Sequence, residues 1–115
     1  MQRDIETLID IANAARLIME FTADLTKSIF ISDRKTQSSV MHQITIIGEA
    51  ARRLDTSFRV KNSSIPWPLI IGMRSKLIHE YNNVDLDEVW KTAKSDIPLL
   101  LSQIENLIRN SKRTD

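Results

Sequence analysis

Arg74, His79 and Tyr81 stand close together in the stretch Arg74-Ser-Lys-Leu-Ile-His79-Glu-Tyr81. Histidine titrates near neutrality and can take or give a proton. Arginine stays cationic, and its planar fork matches phosphate oxygens. The two are a minimal set for cutting RNA without a metal. The strand's own 2′-hydroxyl would attack the adjacent phosphorus, one group taking the hydroxyl proton and the other stabilising charge on the phosphorane. The pair is not specific by itself, because many helices contain both residues.

Geometry adds a condition. Five residues along an ideal helix rotate a side chain by about 140° and advance it by about 7.5 Å. Arg74 and His79 therefore do not share one face of one helix. They converge if the helix ends near His79, if the arginine stem curls round, or if a second chain supplies the partner group. A two-fold dimer would put two copies of each residue in one cleft, with RNA crossing the axis. It would also double the local charge of a chain whose formal net charge is only +1, less than nucleic-acid binders usually carry.

The elements that must position these residues are helical. The chain has 115 residues, 42% of them apolar, two glycines and no cysteine. That suits one helical domain over 1–115 and excludes a disulfide framework or a thiolate metal site. A reducing cytoplasm is the expected location. No apolar run approaches membrane-spanning length, and the start "MQRDIETLID" is too acidic and polar for a secretory signal. The stripe Ile5, Leu8, Ile9, Ala12, Ala15, Ile18 or Met19, and Leu25 predicts a first helix over about 4–26 with Asp4 at its start. "TKSIFISDRK" reads as a connection. Ser32 or Asp33 caps a second helix with the stripe Val40, Ile44, Ile47, Gly48, Ala51 and Leu54. Gly48 costs about 1 kcal/mol against alanine there, commonly offset by close approach of another helix or chain. "DTSFRVKNSSIP" is mainly a connector with a short turn at 57–60. Pro66 and Pro68 open a third long helix to about His79, and "YNNVD" stops it. Asp85 with Glu88 fits a capping box. A last helix over about 86–109 follows, kinked or divided near Pro98, with a frayed polar tail. Nothing reads as strand. The expected fold is all-α, an antiparallel bundle of four to five helices.

With the pattern laid out, the chain resembles the HepT-like toxins of the HEPN superfamily. Their motif, Arg-x4-His-x-Tyr, reads here as Arg74 to Tyr81, and "IIGEA" at 46–50, "IPW" at 65–67, "GMR" at 72–74, Asp85, Trp90 and "DIPLL" at 96–100 fall in the same order. The resemblance covers nearly the whole chain. It implies a homodimer with the motif helix at the interface, metal-independent RNA cleavage with no cofactor, and the toxin role in a type VII-like toxin–antitoxin pair. It implies as partner a nucleotidyltransferase antitoxin that transfers AMP to the motif tyrosine. By position, Arg74 and His79 would be catalytic and Tyr81 the modified residue. Ser75 departs from the asparagine, histidine or aspartate usual after the arginine. The alternative is a catalytically weak or inactive helical dimerisation module that binds the nucleotidyltransferase.

Each residue also has a plainer reading. His79 would suit the negative end of a helix dipole. Arg74 could form a surface ion pair worth about 0–1 kcal/mol. Tyr81 could cover the end of the bundle with its ring and leave its hydroxyl accessible. Glu49 could pair with Arg52 or Arg53, or orient Arg74 or His79 across a helix contact. Arg52, Arg53, Arg59 and Lys61 form a basic run offset by Asp55; Arg52, Arg53 and Lys76 are candidates for holding RNA, and Ser75 and Glu49 for supporting the site. His42 reads as a surface residue, since no second histidine lies at ligand spacing. Trp67 and Trp90 read as core anchors. RNA is the expected substrate, and neither DNA nor membrane an expected partner.

Overall fold

The computed structural model of the chain describes the backbone of residues 2–80 and 83–113, and the side chains of residues 3–78 and 83–111. The stripe that begins at Ile5 folds as helix α1, Gln2–Thr22. Leu8, Ile11, Ala15 and Ile18 are fully buried, while Ile9 and Met19 face solvent. α1 ends four residues earlier than its periodicity suggests: the Thr22 hydroxyl donates to the Ile18 carbonyl at 2.9 Å, and Leu25 lies beyond the helix. Thr26 then caps a short helix α2, Lys27–Ser32, by accepting from the Ile29 amide at 3.2 Å. This segment was expected to be a connection. One and a half turns leave no period to read, and only Phe30 is buried.

Helix α3, Arg34–Arg53, carries the predicted stripe, with Val40, Ile44, Ile47, Gly48 and Ala51 buried and Leu54 buried just past its end. Of the two candidate caps, Asp33 serves. Its carboxylate accepts from the Thr36 amide at 3.1 Å and the Thr36 hydroxyl at 2.7 Å. Those two bonds, the hydroxyl's foremost, hold the Asp33 carboxyl below its ordinary value. Helix α4, Thr56–Lys61, is the short turn in the connector.

The expected third long helix is two short ones. α5, Trp67–Ile71, and α6, Met73–Leu77, meet at Gly72. Trp67 is anchored by burial and by its indole N–H, which donates to the Asn62 carbonyl at 3.1 Å. After α6 the chain extends. Strand β1, Ile78–Glu80, pairs antiparallel with β2, Asn83–Val84, and Ile78 lies opposite Val84. This ladder corrects the expectation of no strand; two and three residues are too few for alternation to register.

α7, Leu86–Lys91, is capped by Asp85, which accepts from the Glu88 amide at 3.1 Å. The backbone continues through a π-helical turn, Thr92–Asp96, into α8, Ile97–Arg113. The Ile97 amide reaches back five residues to the Thr92 carbonyl. Pro98 has no amide, and its ring would meet the Lys94 carbonyl in a regular helix. The widened turn absorbs that conflict, so the rod continues to Arg113, past the expected frayed end.

Among the described residues, three long helices and the short ones between them form the bundle, and α1 is its centre, packed on α3 and α8. Both run antiparallel to it. The Asp55 amide, just past α3, donates to Asp4 near the start of α1 at 3.3 Å. At the other end Lys94, before α8, donates to the Thr22 carbonyl at 3.2 Å, while Arg16 meets Glu105 at 2.8 Å. Ile44, Ile47, Ile97 and Ile104 join the α1 residues in one core. Each such side chain contributes about 1.5–3 kcal/mol by leaving water. The Phe30 ring packs against that of half-buried Trp90 at 5.2 Å between centroids, tilted by 39°, which ties α2 to α7.

Candidate active site

The motif segment is held on α3 from both sides. In "Met-Arg-Ser-Lys-Leu", Met73 and Leu77 are one helical turn apart and buried, so the residues between them, Arg74, Ser75 and Lys76, are exposed. Before them, the Ile70 and Ile71 carbonyls come close to Gly48, where even a methyl side chain would be tight: a β-carbon there would stand 3.1 Å from the Ile71 oxygen. The close approach expected of Gly48 thus comes from α5 of the same chain. After them, the Asp85 amide donates to the Leu77 carbonyl at 3.0 Å and fixes where α6 stops.

Two adjoining clefts run along α3, and Arg74 and Thr45 line both. One, of about 380 Å³, is lined by Thr45, Gly48, Glu49, Arg52, Ile71, Arg74 and Ser75. The other, of about 410 Å³, brings Arg74 together with Ser38, His42, Thr45, Ile78 and Leu86. Arg74 is exposed and makes no ion pair within 4.0 Å among the described residues. Its guanidinium is available to an anion in either cleft.

The candidate residues separate on this geometry. Glu49, Arg52, Ser75 and Arg74 share one cleft. Arg53, next to Arg52, turns toward α1, where its Nη2 is 3.7 Å from Oδ2 of Asp10. Lys76 is exposed and lines neither cleft. Glu49 forms no ion pair with Arg52 or Arg53 among the described residues. The backbone of His79 lies in β1, its side chain is outside what the structure describes, and Tyr81 lies outside the described residues. Among the described residues no three carboxylate or imidazole groups gather as a metal site, and no helix is long and apolar enough to cross a membrane.

His42 is a surface residue as expected, but the cleft it lines with Arg74 was not anticipated. The signal was available: Ser38, His42, Thr45, Glu49 and Arg52 recur at alternating steps of four and three along α3. That spacing makes one straight polar stripe on a helix.

Comparison with known proteins gives the chain its family. Residues 5–107 match the family described as ribonuclease HepT-like. The chain is 44% identical over 100 residues to a protein of Thermococcus cleftensis named "Probable ribonuclease HepT", an alignment covering 87% of this chain and 91% of that one. It is 35% identical over 105 residues to "Putative RNase MJ1380" of Methanocaldococcus jannaschii, covering 90% of this chain and 96% of that one. No solved structure matches. A helical bundle that exposes the motif arginine over a polar furrow, matched along nearly its whole length, belongs to the HepT-like ribonuclease family.

Proposed function

We propose that this chain is a metal-independent endoribonuclease, the toxin of a type VII-like toxin–antitoxin pair, acting in the cytoplasm as a homodimer with its motif segments at the interface. The observation that carries the reading is the end of α6 at Leu77, two residues before His79, with Arg74 exposed over the furrow. Because α6 ends there, Arg74 and His79 need not keep the angular offset of a continuous helix, which supports the reading.

In the reaction, His79 takes the proton of a 2′-hydroxyl. The oxygen attacks the neighbouring phosphorus, the bond from phosphorus to the 5′-oxygen breaks, and the products are a 2′,3′-cyclic phosphate and a 5′-hydroxyl. Arg74 neutralises the charge that builds on the non-bridging oxygens. Ser75 and Glu49 position RNA and the guanidinium, and Arg52 holds the backbone of the strand. Tyr81 is the regulatory acceptor: its hydroxyl attacks the α-phosphorus of ATP on the nucleotidyltransferase antitoxin and releases pyrophosphate. The AMP it then carries is bulky and anionic, and competes with RNA for Arg74.

The test is cleavage of RNA by the purified chain in EDTA. Cleavage with cyclic-phosphate ends is expected, and His79→Ala should slow it by about 10²–10⁴-fold. Equal rates for the two proteins would remove His79 from the mechanism. An inert wild-type chain that still binds the nucleotidyltransferase would leave the dimerisation-module reading in its place.

A further inference from the structure

The two clefts that share Arg74 differ in chemistry. The one beside Gly48 is lined by charged and polar groups, Glu49, Arg52 and Ser75 among them, and its one large apolar side chain is Ile71. The other, of about 410 Å³, has two kinds of lining. Four half-buried apolar side chains contribute one: Met41 of α3, Ile78 and Val84 of the paired strands, and Leu86 of α7. The polar stripe of α3 contributes the other, through Ser38, His42 and Thr45. Among the described residues no carboxylate lines this cleft. A concave, largely apolar surface with a few polar groups is the usual form of a small-molecule site, and such sites measure about 300–1,000 Å³.

Not every polar group there is at liberty. The Thr45 hydroxyl donates to the Met41 carbonyl at 3.1 Å. The Gln37 amide nitrogen donates to the Phe30 and Ile31 carbonyls, each at 2.9 Å. The Ser38 hydroxyl and the His42 imidazole make no hydrogen bond among the described residues, and both residues are exposed. They stand one helical turn apart on the same face. Each can donate and accept. Helix α3 is held by its buried stripe and does not use them.

Arg74 lines both clefts, so an anion on its guanidinium lies where the two adjoin. A strand with a phosphate there has a nucleoside on either side of it. The charged cleft suits sugar and phosphate. The other suits a base, which has apolar faces and an edge of donors and acceptors. We propose that the cleft between α3 and the β1–β2 ladder is a nucleobase subsite: it takes the unstacked base next to the phosphate on Arg74, and Ser38 and His42 read that base's edge. This rests on the RNA-cleaving reading above for the source of the base. One protomer supplies every residue named, so a two-fold dimer would carry two such subsites.

The experiment measures binding of 2′-deoxy dinucleotides, which lack the attacking hydroxyl, by shifts of the protein's amide NMR signals. The probes are the tightest-binding dinucleotide and its two abasic forms, one lacking the base on the 5′ side and one lacking it on the 3′ side. Loss of one of the two bases should weaken binding by about tenfold or more, and loss of the other much less. His42→Ala should weaken the intact dinucleotide by about 2–12-fold, the loss expected of one hydrogen bond, and should not weaken the form that already lacks the base it reads. His42→Gln keeps a donor and an acceptor and should recover most of the loss. Arg74→Ala should weaken all three probes alike. Equal weakening of all three by His42→Ala would make His42 a phosphate contact and overturn the proposal, as would equal affinity of wild type for intact and abasic forms. On cleavable RNA, wild type should prefer one base on one side of the cut, and His42→Ala should flatten that preference. If wild type cuts no RNA yet its binding depends on His42 and one base, the cleavage reading falls and the subsite stands. If wild type cuts RNA and binding shows no such dependence, only the subsite falls.

Discussion

Gly48 of α3 and Ile71 of α5 are in direct backbone contact: a β-carbon at position 48 would lie 3.1 Å from the Ile71 carbonyl oxygen, and 3.4 Å from that of Ile70. The partner is backbone rather than the free end of a side chain, so it yields only by moving α5, and α5 leads through Gly72 into Arg74. Alanine at 48 would gain about 1 kcal/mol of helix propensity and lose part of it in pushing the carbonyl back. Valine adds two methyl groups at the same contact and should lower stability by about 1–3 kcal/mol through overpacking. Urea unfolding should rank Gly48→Val well below both wild type and Gly48→Ala. A valine variant as stable as wild type would mean that α5 is not seated as described.

That contact also marks how far the sequence could be read. The mid-helix glycine announced a close neighbour, but residue type alone does not say which segment approaches. The stripes of α1, α3 and α8 were legible because each repeats over several turns. The division of the third helix at Gly72 was not. Glycine inside an apolar run is tolerated often enough that its presence alone does not mark a break. The β1–β2 ladder and α2 are too short for any period, and α2 is held by the Thr26 cap at one end and at the other by the Gln37 amide, which donates to the Phe30 and Ile31 carbonyls. At the site, the motif pointed to Arg74, whereas His42 was read as an isolated surface histidine. The face it shares with Thr45 and Glu49 becomes a cleft wall only because α6 lies across it.

The Asp33 cap makes stability depend on acid. Its carboxyl is held below the ordinary value of 3.8 by the Thr36 hydroxyl and amide. A depressed carboxyl contributes stability that is present above the unfolded-state value and fades as pH falls through the lowered folded one. Wild type should therefore lose melting temperature on acidification below about pH 4. Asp33→Asn keeps an acceptor for the Thr36 amide without a titrating group, so its curve should be flatter in that window. Asp33→Ala should melt lower at neutral pH, having no acceptor at all. Parallel curves for wild type and the asparagine variant would remove Asp33 from the acid response.

Arg74 should separate activity from folding. It is exposed and its neighbours in sequence, Met73 and Leu77, do the packing. Arg74→Ala should leave unfolding within about 0.5 kcal/mol of wild type. Cleavage should fall by about 10²–10³-fold, the loss typical of removing one group that stabilises transition-state charge. Arg74→Lys keeps the charge but not the two-pronged geometry, so its rate should fall between the two. Full activity in the lysine variant would show that a point charge suffices and that the fork plays no part.

Arg52 and Arg53 are adjacent in sequence and of one type, and the fold sends them to different places. Arg52 lines the cleft with Glu49, Arg74 and Ser75, whereas Arg53 reaches Asp10 on α1 at 3.7 Å across an exposed surface. A cation in the path of the strand displaces counterions when RNA binds, and one on the far side does not. Binding of a non-cleavable, 2′-deoxy strand, titrated against salt, should therefore distinguish them. Arg52→Ala should weaken binding at low salt and reduce the slope of log affinity on log salt by about 0.7, the value for one phosphate contact on a single strand. Arg53→Ala should leave that slope unchanged and cost at most about 1 kcal/mol of stability, because its ion pair is exposed. Equal slopes for the two variants would mean that the strand does not follow the polar stripe of α3. The reverse order would move the RNA path to the α1 side of the bundle, away from Arg74.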